Sequence, residues 1–227
     1  GDITGENISS AGDIDGDGLD DFLLGAAELT QNRDSGQGFV LFGKDFIDST
    51  AQLGDETANT LSGAADGDII IGGRGNDTII GTGGNDVLLG GQGDDILSVD
   101  DSTFQKINGG TGTDTLTLSS NFNLDLTNIS DNKIQNIEAI NLNNQGGKLT
   151  LNTNDLLNLS TSSNTLTVSG SSGDTLTVSD GQWIDLGKSN GFNTFTNEQA
   201  TLIVDTDISS NITTTGLVLD SLDGTNG

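Results

Sequence analysis

Apolar residues in the middle of the chain come in short groups, separated by polar turns at a regular interval. From Gly63 to Ser98 the sequence divides into four blocks of nine, GAADGDIII, GGRGNDTII, GTGGNDVLL and GGQGDDILS. A fifth block, GGTGTDTLT, begins at Gly109 after an irregular stretch from Val99 to Asn108. Each block predicts a six-residue glycine-rich turn and a three-residue strand whose middle side chain points inward. The predicted inward side chains are Ile70, Ile79, Leu88, Leu97 and Leu116.

An aspartate stands at the sixth place of every block, at Asp68, Asp77, Asp86, Asp95 and Asp114. If two blocks make one coil, each turn stacks on the turn two blocks later. Asp68 then meets Asp86, and Asp77 meets Asp95. Two carboxylates about 4 Å apart repel by about 4 kcal/mol at an effective dielectric constant of about 20. The pattern therefore predicts a structural cation between the turns.

Composition narrows the kind of cation. The 227 residues include no Cys and no His, which excludes cysteine nucleophiles, His-dependent triads and nearly every zinc, copper or haem site. The remaining metal ligands are oxygen atoms, and oxygen ligands rich in carboxylate favour Ca²⁺ before Mg²⁺. Glycine suits such turns because it adopts positive φ and lets carbonyl groups converge without a Cβ atom.

Residues 63–118 resemble the hemolysin-type calcium-binding (RTX) repeats, whose pattern is GGxGxD followed by a hydrophobic strand. The resemblance implies a right-handed parallel β-roll that binds Ca²⁺ between stacked turns. It implies a first ion held by Ala64, Asp66, Asp68, Gly81, Gly83 and Asp86. It implies a second ion held by Gly73, Gly75, Asp77, Gly90, Gln92 and Asp95. The ligands of a third ion would be Gly91, Gly93, Asp95, Gly109, Thr111 and Asp114.

A second acidic motif, DIDGDGLDD, lies near the start of the chain. Its Asp13, Asp15 and Asp17 imitate an EF-hand loop, but the twelfth position is Leu24 instead of Glu, and the flanking segments are not helical. Closure by Asp21, with the Leu19 carbonyl as a further ligand, instead predicts a compact calcium loop between strands.

This motif, with GQGFVLFG from Gly36 to Gly43, resembles the FG-GAP repeat of integrin α-type β-propellers. One repeat corresponds to one blade, and a propeller needs at least about four blades. Residues 1–45 are therefore either the last blade of a truncated propeller or a blade that packs alone against the roll. Residues 46–62 are polar without a period and are assigned to a linker or a cap.

Beyond residue 118 the glycines and aspartates give way to Thr, Ser, Asn and Leu, but alternating pairs such as Leu149 and Leu151 still predict short strands. Residues 119–205 are assigned to a β-rich domain, either a β-solenoid or a β-sandwich-like region. Within it, residues 152–160 predict a short helix capped by Thr153 or Asn154, and Trp183 predicts a packing residue. Residues 206–227 are assigned to a mobile tail. The fold class is all-β.

Charge and hydropathy limit the partners. Asp and Glu number 34 against 7 Lys and Arg, and the resulting net charge of -27 repels nucleic acid and anionic lipid. No apolar run approaches the ~18 residues of a membrane span. The first residues show no cationic segment followed by an apolar one, so we expect no cleavable signal. Because the chain begins at Gly1 instead of Met, we expect it to be part of a longer protein.

Three classes of function follow. The first is a non-catalytic calcium module of a secreted or cell-surface bacterial protein, folding on Ca²⁺ after export and serving adhesion or matrix association through an extracellular protein or glycan ligand. The second is the C-terminal secretion and stabilisation region of a secreted hydrolase whose catalytic domain lies elsewhere. The third, an enzyme within this chain, has no nucleophile elbow or separate acid pair to support it. We favour the first, and the RTX resemblance implies export by the type I machinery.

Overall fold

The computed structural model describes residues 3–12, 14, 21–27, 36–41, 51–119, 122–143, 146–160 and 162–215. The chain divides into two compact units, residues 1–48 and 49–227.

The first unit forms an antiparallel sheet of three strands in its described part, in the order β1-β2-β3. The strands are β1 (Ile3–Gly12), β2 (Asp21–Ala27) and β3 (Gly36–Leu41). Phe22 lies opposite Ser10 on one side and opposite Leu41 on the other. This antiparallel sheet agrees with the predicted blade-like β-unit.

The second unit begins as a roll in which successive strands alternate between two parallel sheets. Its strands are β4 (Ala51–Leu53), β5 (Thr60–Ser62), β6 (Ile69–Arg74), β7 (Thr78–Ile80), β8 (Val87–Gln92), β9 (Ile96–Val99), β10 (Lys106–Thr111) and β11 (Thr115–Leu118). Among these eight strands, β4, β6, β8 and β10 form one sheet, and β5, β7, β9 and β11 belong to the other. Ile70 lies beside Leu88, and Ile79 beside Leu97, so that two nine-residue blocks complete one coil.

The interior of the roll is a column of aliphatic side chains. The five predicted inward residues, Ile70, Ile79, Leu88, Leu97 and Leu116, are all fully buried, which confirms the prediction. Each such side chain contributes about 1.5–3 kcal/mol of transfer free energy. Leu88 pairs with Ile107, so this coil is one residue longer than two nine-residue blocks. The irregular stretch at residues 99–108 therefore takes the place of one block.

The roll continues into longer coils. The remaining elements are β12 (Asn123–Asp125), a 3₁₀ turn (Leu126–Asn128), β13 (Ile134–Gln135), β14 (Ala139–Asn141), β15 (Lys148–Leu151), α1 (Thr153–Leu159), β16 (Thr165–Ser169), β17 (Thr175–Val178), β18 (Trp183–Ser189), β19 (Phe192–Thr196), β20 (Thr201–Asp205), β21 (Ser209–Asn211) and β22 (Thr214–Thr215). In the described part of the chain, one sheet of ten strands runs from β5 to β22. Its neighbours β11, β14, β16 and β20 are parallel, and the β18–β19 hairpin is antiparallel.

Several sequence assignments differ from this arrangement. The boundary after residue 118 separates no units, because the ten-stranded sheet passes through it. Of the two alternatives predicted for the C-terminal region, the solenoid agrees with the parallel sheets and the sandwich does not. Residues 51–62, assigned to a linker or a cap, form the outermost coil. Residues 209–211 and 214–215 are strands instead of a mobile tail.

Two local predictions in the C-terminal region have different outcomes. The helix α1 is present, but its N-cap is Asn152, whose side chain accepts from the Asp155 N–H in a capping box. Trp183 is fully buried, and its ring N–H donates to the Asp180 carbonyl at 3.3 Å, which confirms its packing role.

Candidate metal centre

The glycine-rich turns form two columns along the edges of the roll. We call the turns 72–77, 90–95 and 109–114 the Asp77 column, and the turns 63–68 and 81–86 the Asp86 column. The strand registers stack the turns of each column 18 or 19 residues apart. Residues expected to share an ion are therefore neighbours in the structure.

The turns of the Asp77 column approach each other too closely for side chains. Gly91 and Gly93 have φ values of 119° and 125°, which L-residues with a Cβ rarely adopt. A Cβ atom on either residue would overlap the carbonyl oxygen of Gly73 or Gly75 in the preceding turn. The carbonyls of Gly73 and Gly75, both expected ligands, thus point towards the next turn.

The sixth-place aspartates form a hydrogen-bonded ladder in each column. All five are buried, with at most 2% of the side chain exposed. The Asp77 N–H donates to Asp95 Oδ1 at 2.8 Å, and the Asp95 N–H donates to Asp114 Oδ1 at 2.9 Å. In the other column the Asp68 N–H donates to Asp86 Oδ1 at 2.9 Å. Each of these hydrogen bonds engages Oδ1 of the accepting carboxylate. Its Oδ2 is left for another partner.

In the Asp77 column that second oxygen has no protein donor. Oδ2 of Asp77, of Asp95 and of Asp114 is buried without a hydrogen-bond partner among the described residues. A Cβ atom built on Gly72 would lie 2.5 Å from the Gly90 carbonyl oxygen and would also contact Asp77 Oδ2. Two acceptors therefore face the same space, and leaving such groups unsatisfied costs about 1–3 kcal/mol each, and more when charged.

A hard cation satisfies this donor set. No three acidic side chains in the described segments lie close enough to hold a metal by themselves. A cation bound here would therefore combine carboxylates with backbone carbonyls. Ca²⁺ accepts such a mixture, with six to eight oxygen ligands. The expected ligands Gln92 and Thr111 already accept through their carbonyls from the Gly75 and Gly93 N–H groups, at 2.8 and 2.9 Å, and each carbonyl keeps a second lone pair.

The Asp86 column is different, because protein groups occupy part of the expected first site. Asp68 Oδ2 accepts from the Ala64 N–H at 2.6 Å. The Thr82 hydroxyl donates to the carbonyl of Ala64, an expected ligand. The Asp66 carbonyl lies against Gly84, where a Cβ atom would come within 2.8 Å of its oxygen. The orphaned oxygen that marks the Asp77 column therefore has no equivalent at Asp68.

Burial of these carboxylates alters their titration. Burial, with smaller contributions from the charges of Asp68, Asp101 and Asp100, raises the pKa of Asp86 from 3.8 to about 6. Burial, with Asp95 and Glu138 nearby, likewise raises the pKa of Asp114 to about 6. Burial also raises the pKa of Asp95. Without a divalent cation, Asp86 and Asp114 therefore stay protonated to a higher pH than an exposed aspartate does.

We expect the chelated protein to lose stability as the pH rises from about 4 to about 6. The folded-state pKa values of Asp86 and Asp114 lie above the ordinary 3.8, so the folded protein binds more protons than the unfolded chain in this range. The folded fraction in chelator, followed by far-UV circular dichroism at a series of pH values, measures the effect. Saturating Ca²⁺ should reverse the trend, because protons compete with the ion, and stability that rises with pH in chelator would contradict the prediction.

The N-terminal calcium loop lies almost wholly outside the described residues. Asp13, Asp15, Asp17 and Leu19 are not described, and Asp21 is placed only as the first residue of β2. Calcium binding by this loop stays a prediction.

Sequence reasoning missed both ends of the ladder. The Asn59 N–H donates to Asp77 Oδ1 at 2.8 Å, and Glu138 Oε2 accepts from the Asp114 N–H at 3.0 Å. Asn59 ends the turn of GDETANTLS, a degenerate block directly before Gly63. Glu138 stands two residues before the buried Ile140, just as Asp114 stands two residues before the buried Leu116. This shared spacing is the sequence signal that could have identified Glu138.

Comparison with known families supports both resemblances. Residues 53–80 and 62–97 match the RTX calcium-binding nonapeptide repeat, whose family model holds four copies, and residues 5–41 match the FG-GAP repeat. No curated protein and no solved structure shows significant similarity to the chain. No helix in the described segments is long and apolar enough to cross a membrane.

Proposed function

We propose that this chain, in which RTX calcium-binding nonapeptide repeats follow an FG-GAP repeat, is a non-catalytic calcium module of a secreted or cell-surface bacterial protein. In this proposal Ca²⁺ binds between the turns and folds the roll after export. The observation that carries it is the row of buried, unpartnered Oδ2 atoms at Asp77, Asp95 and Asp114. These oxygens face backbone carbonyls, and a cation satisfies both.

Calcium levels differ enough across the cell envelope to control such sites. Extracellular calcium modules bind with dissociation constants of about 10⁻⁴ to 10⁻³ M, so that their sites are empty in the cytosol and fill outside. A site whose dissociation constant is about 10-fold below the ion concentration adds about 1.4 kcal/mol of stability. Several coupled sites of this kind suffice to decide whether the roll is folded.

The remaining parts of the proposal follow from this dependence. A chain of net charge -27 that stays unfolded without Ca²⁺ suits passage through a type I exporter. Both repeat types are typical of extracellular proteins. We further propose that the folded module serves adhesion or matrix association through an extracellular protein or glycan.

Isothermal titration calorimetry of the chelated chain with Ca²⁺, with far-UV circular dichroism at each addition, tests the proposal. We expect two to four bound ions and a gain of β-signal that follows binding. Mg²⁺ is the control, and it should produce little gain because it requires near-octahedral geometry and keeps its water ligands. A β-signal that is already complete in chelator, or no binding at millimolar Ca²⁺, would overturn the proposal.

A further inference from the structure

The aspartate ladder extends one step beyond the nonapeptide repeats. The family match ends at residue 97, and the last glycine-rich turn is 109–114. The Asp114 N–H nevertheless donates to Glu138 Oε2 at 3.0 Å, as the Asp95 N–H donates to Asp114. Glu138 thus occupies the place that Asp95 and Asp114 hold in the two preceding coils of this column.

A shortened turn explains why a glutamate stands here. Asn108 pairs with Gln135, and Thr115 pairs with Ala139. The six-residue turn 109–114 therefore lies against a three-residue turn, 136–138. The additional methylene group of Glu138 lets its carboxylate reach the Asp114 N–H from this shorter backbone.

The oxygen pair found in the earlier coils recurs at this junction. Asp114 is fully buried, and its Oδ2 has no hydrogen-bond partner in the described part of the chain. A Cβ atom on Gly109 would lie 2.5 Å from Asp114 Oδ2 and would also contact the carbonyl oxygen of Asn136. Gly72 and Gly90 each face the same combination of an aspartate Oδ2 and the carbonyl of the next coil.

The charges at the junction are not balanced by cationic side chains of the described residues. No Lys or Arg among the described residues forms an ion pair with Asp114 or Glu138. Lys106 and Lys133, the nearest along the sequence, donate to Gln135 and to the Phe104 carbonyl. The second carboxylate oxygen of Glu138, Oε1, has a long contact of 3.4 Å with the Ser162 hydroxyl.

We propose that Asp114 Oδ2, the Asn136 carbonyl and the Glu138 carboxylate form a further site for a hard divalent cation, chemically suited to Ca²⁺. This site closes the Asp77 column where the short coils meet the longer ones. It rests on the proposed calcium function, and it adds a ligand, Glu138, that no repeat motif contains.

Calcium stoichiometry of the whole chain and of Glu138→Gln tests the site. The glutamine keeps an oxygen that accepts from the Asp114 N–H but removes the charge, so the variant should fold and bind one ion fewer than the wild type. Glu138→Asp keeps the charge and shortens the reach, and it should lose the same ion. Glu198→Gln is the matched control, since Glu198 is exposed and lies in a turn apart from the column.

The outcomes separate this inference from the proposed function. Unchanged stoichiometry in both Glu138 variants, with a wild type that binds Ca²⁺, would overturn the site and leave the proposed function standing. A wild type that binds no Ca²⁺ would overturn both. Equilibrium dialysis against radioactive Ca²⁺, with circular dichroism to verify folding, gives the ion count independently of binding heat.

Discussion

Asp95→Asn is expected to change the stability of the chain in opposite directions with and without calcium. Asp95 is an expected ligand of two ions, one shared with Asp77 and one with Asp114. If each site contributes about 2.7 kcal/mol at an ion concentration about 100-fold above its dissociation constant, the calcium-loaded variant should lose up to about 5 kcal/mol. This is the largest effect that we expect from any single carboxylate.

In chelator the same substitution should stabilise the protein. The asparagine oxygen can still accept from the Asp77 N–H, and its amide nitrogen can donate to the Gly109 carbonyl that faces Asp95 Oδ2. An unsatisfied buried charge is thereby replaced by a hydrogen bond, a gain of about 1–3 kcal/mol. Urea unfolding in Ca²⁺ measures the first change, and the folded fraction in chelator, followed by far-UV circular dichroism, measures the second.

Asp174→Asn is the matched control for this prediction. Asp174 is also fully buried, but its oxygens accept from the N–H groups of Gly146, Gly147 and Ser171, at 2.8 to 2.9 Å. Its carboxylate is satisfied by the protein, so this substitution should destabilise the chain by a similar amount under both conditions. Loss of stability in chelator for Asp95→Asn would show that Asp95 acts as an ordinary structural residue.

Gly91→Ala is expected to destabilise the roll whether or not calcium is present. The left-handed backbone at Gly91, with φ of 119°, costs an alanine about 1–2 kcal/mol. The added methyl group would also overlap the Gly73 carbonyl oxygen and force the two turns apart, which adds about 1–3 kcal/mol. Because the turns then separate, the calcium concentration at the folding midpoint should also increase.

Gly173→Ala separates the two costs. Gly173 has φ of 107°, similar to Gly91, but no atom lies within 4 Å of a Cβ built on it. Denaturant unfolding should therefore show only the backbone cost in this variant, with its calcium midpoint unchanged. Equal losses for the two alanines would mean that close approach of the turns contributes nothing.

The short coils were predictable because their period is strict. A side chain at the eighth place of a nine-residue block, such as Ile70 or Leu88, must face the interior if two blocks make a coil, and both are fully buried. The same period brings Asp77 to Asp95. The orphaned Oδ2 atoms were not predictable, because they depend on which oxygen of each carboxylate the backbone N–H selects.

The longer coils could not be chosen over a sandwich from the sequence, because their connections vary in length. Leu116 pairs with Ile140, and Ile140 pairs with Val168. The number of residues between the partners differs in the two pairs. The helix α1 and the β18–β19 hairpin account for much of the additional chain. Alternating residues such as Leu166 and Val168 indicated strands, but no period showed that these strands extend the sheet of the repeats.

The sharing of carboxylates along the Asp77 column has a consequence for how the chain responds to calcium. Stacked coils follow the strand spacing of about 4.8 Å, and Asp95 serves the space on both sides of its turn. An ion that orders one turn thereby prepares half of the ligands for the next, as in a one-dimensional lattice with nearest-neighbour coupling. Such a lattice fills over a narrow range of ion concentration. The folded fraction of the module should therefore rise steeply at a threshold calcium concentration instead of gradually.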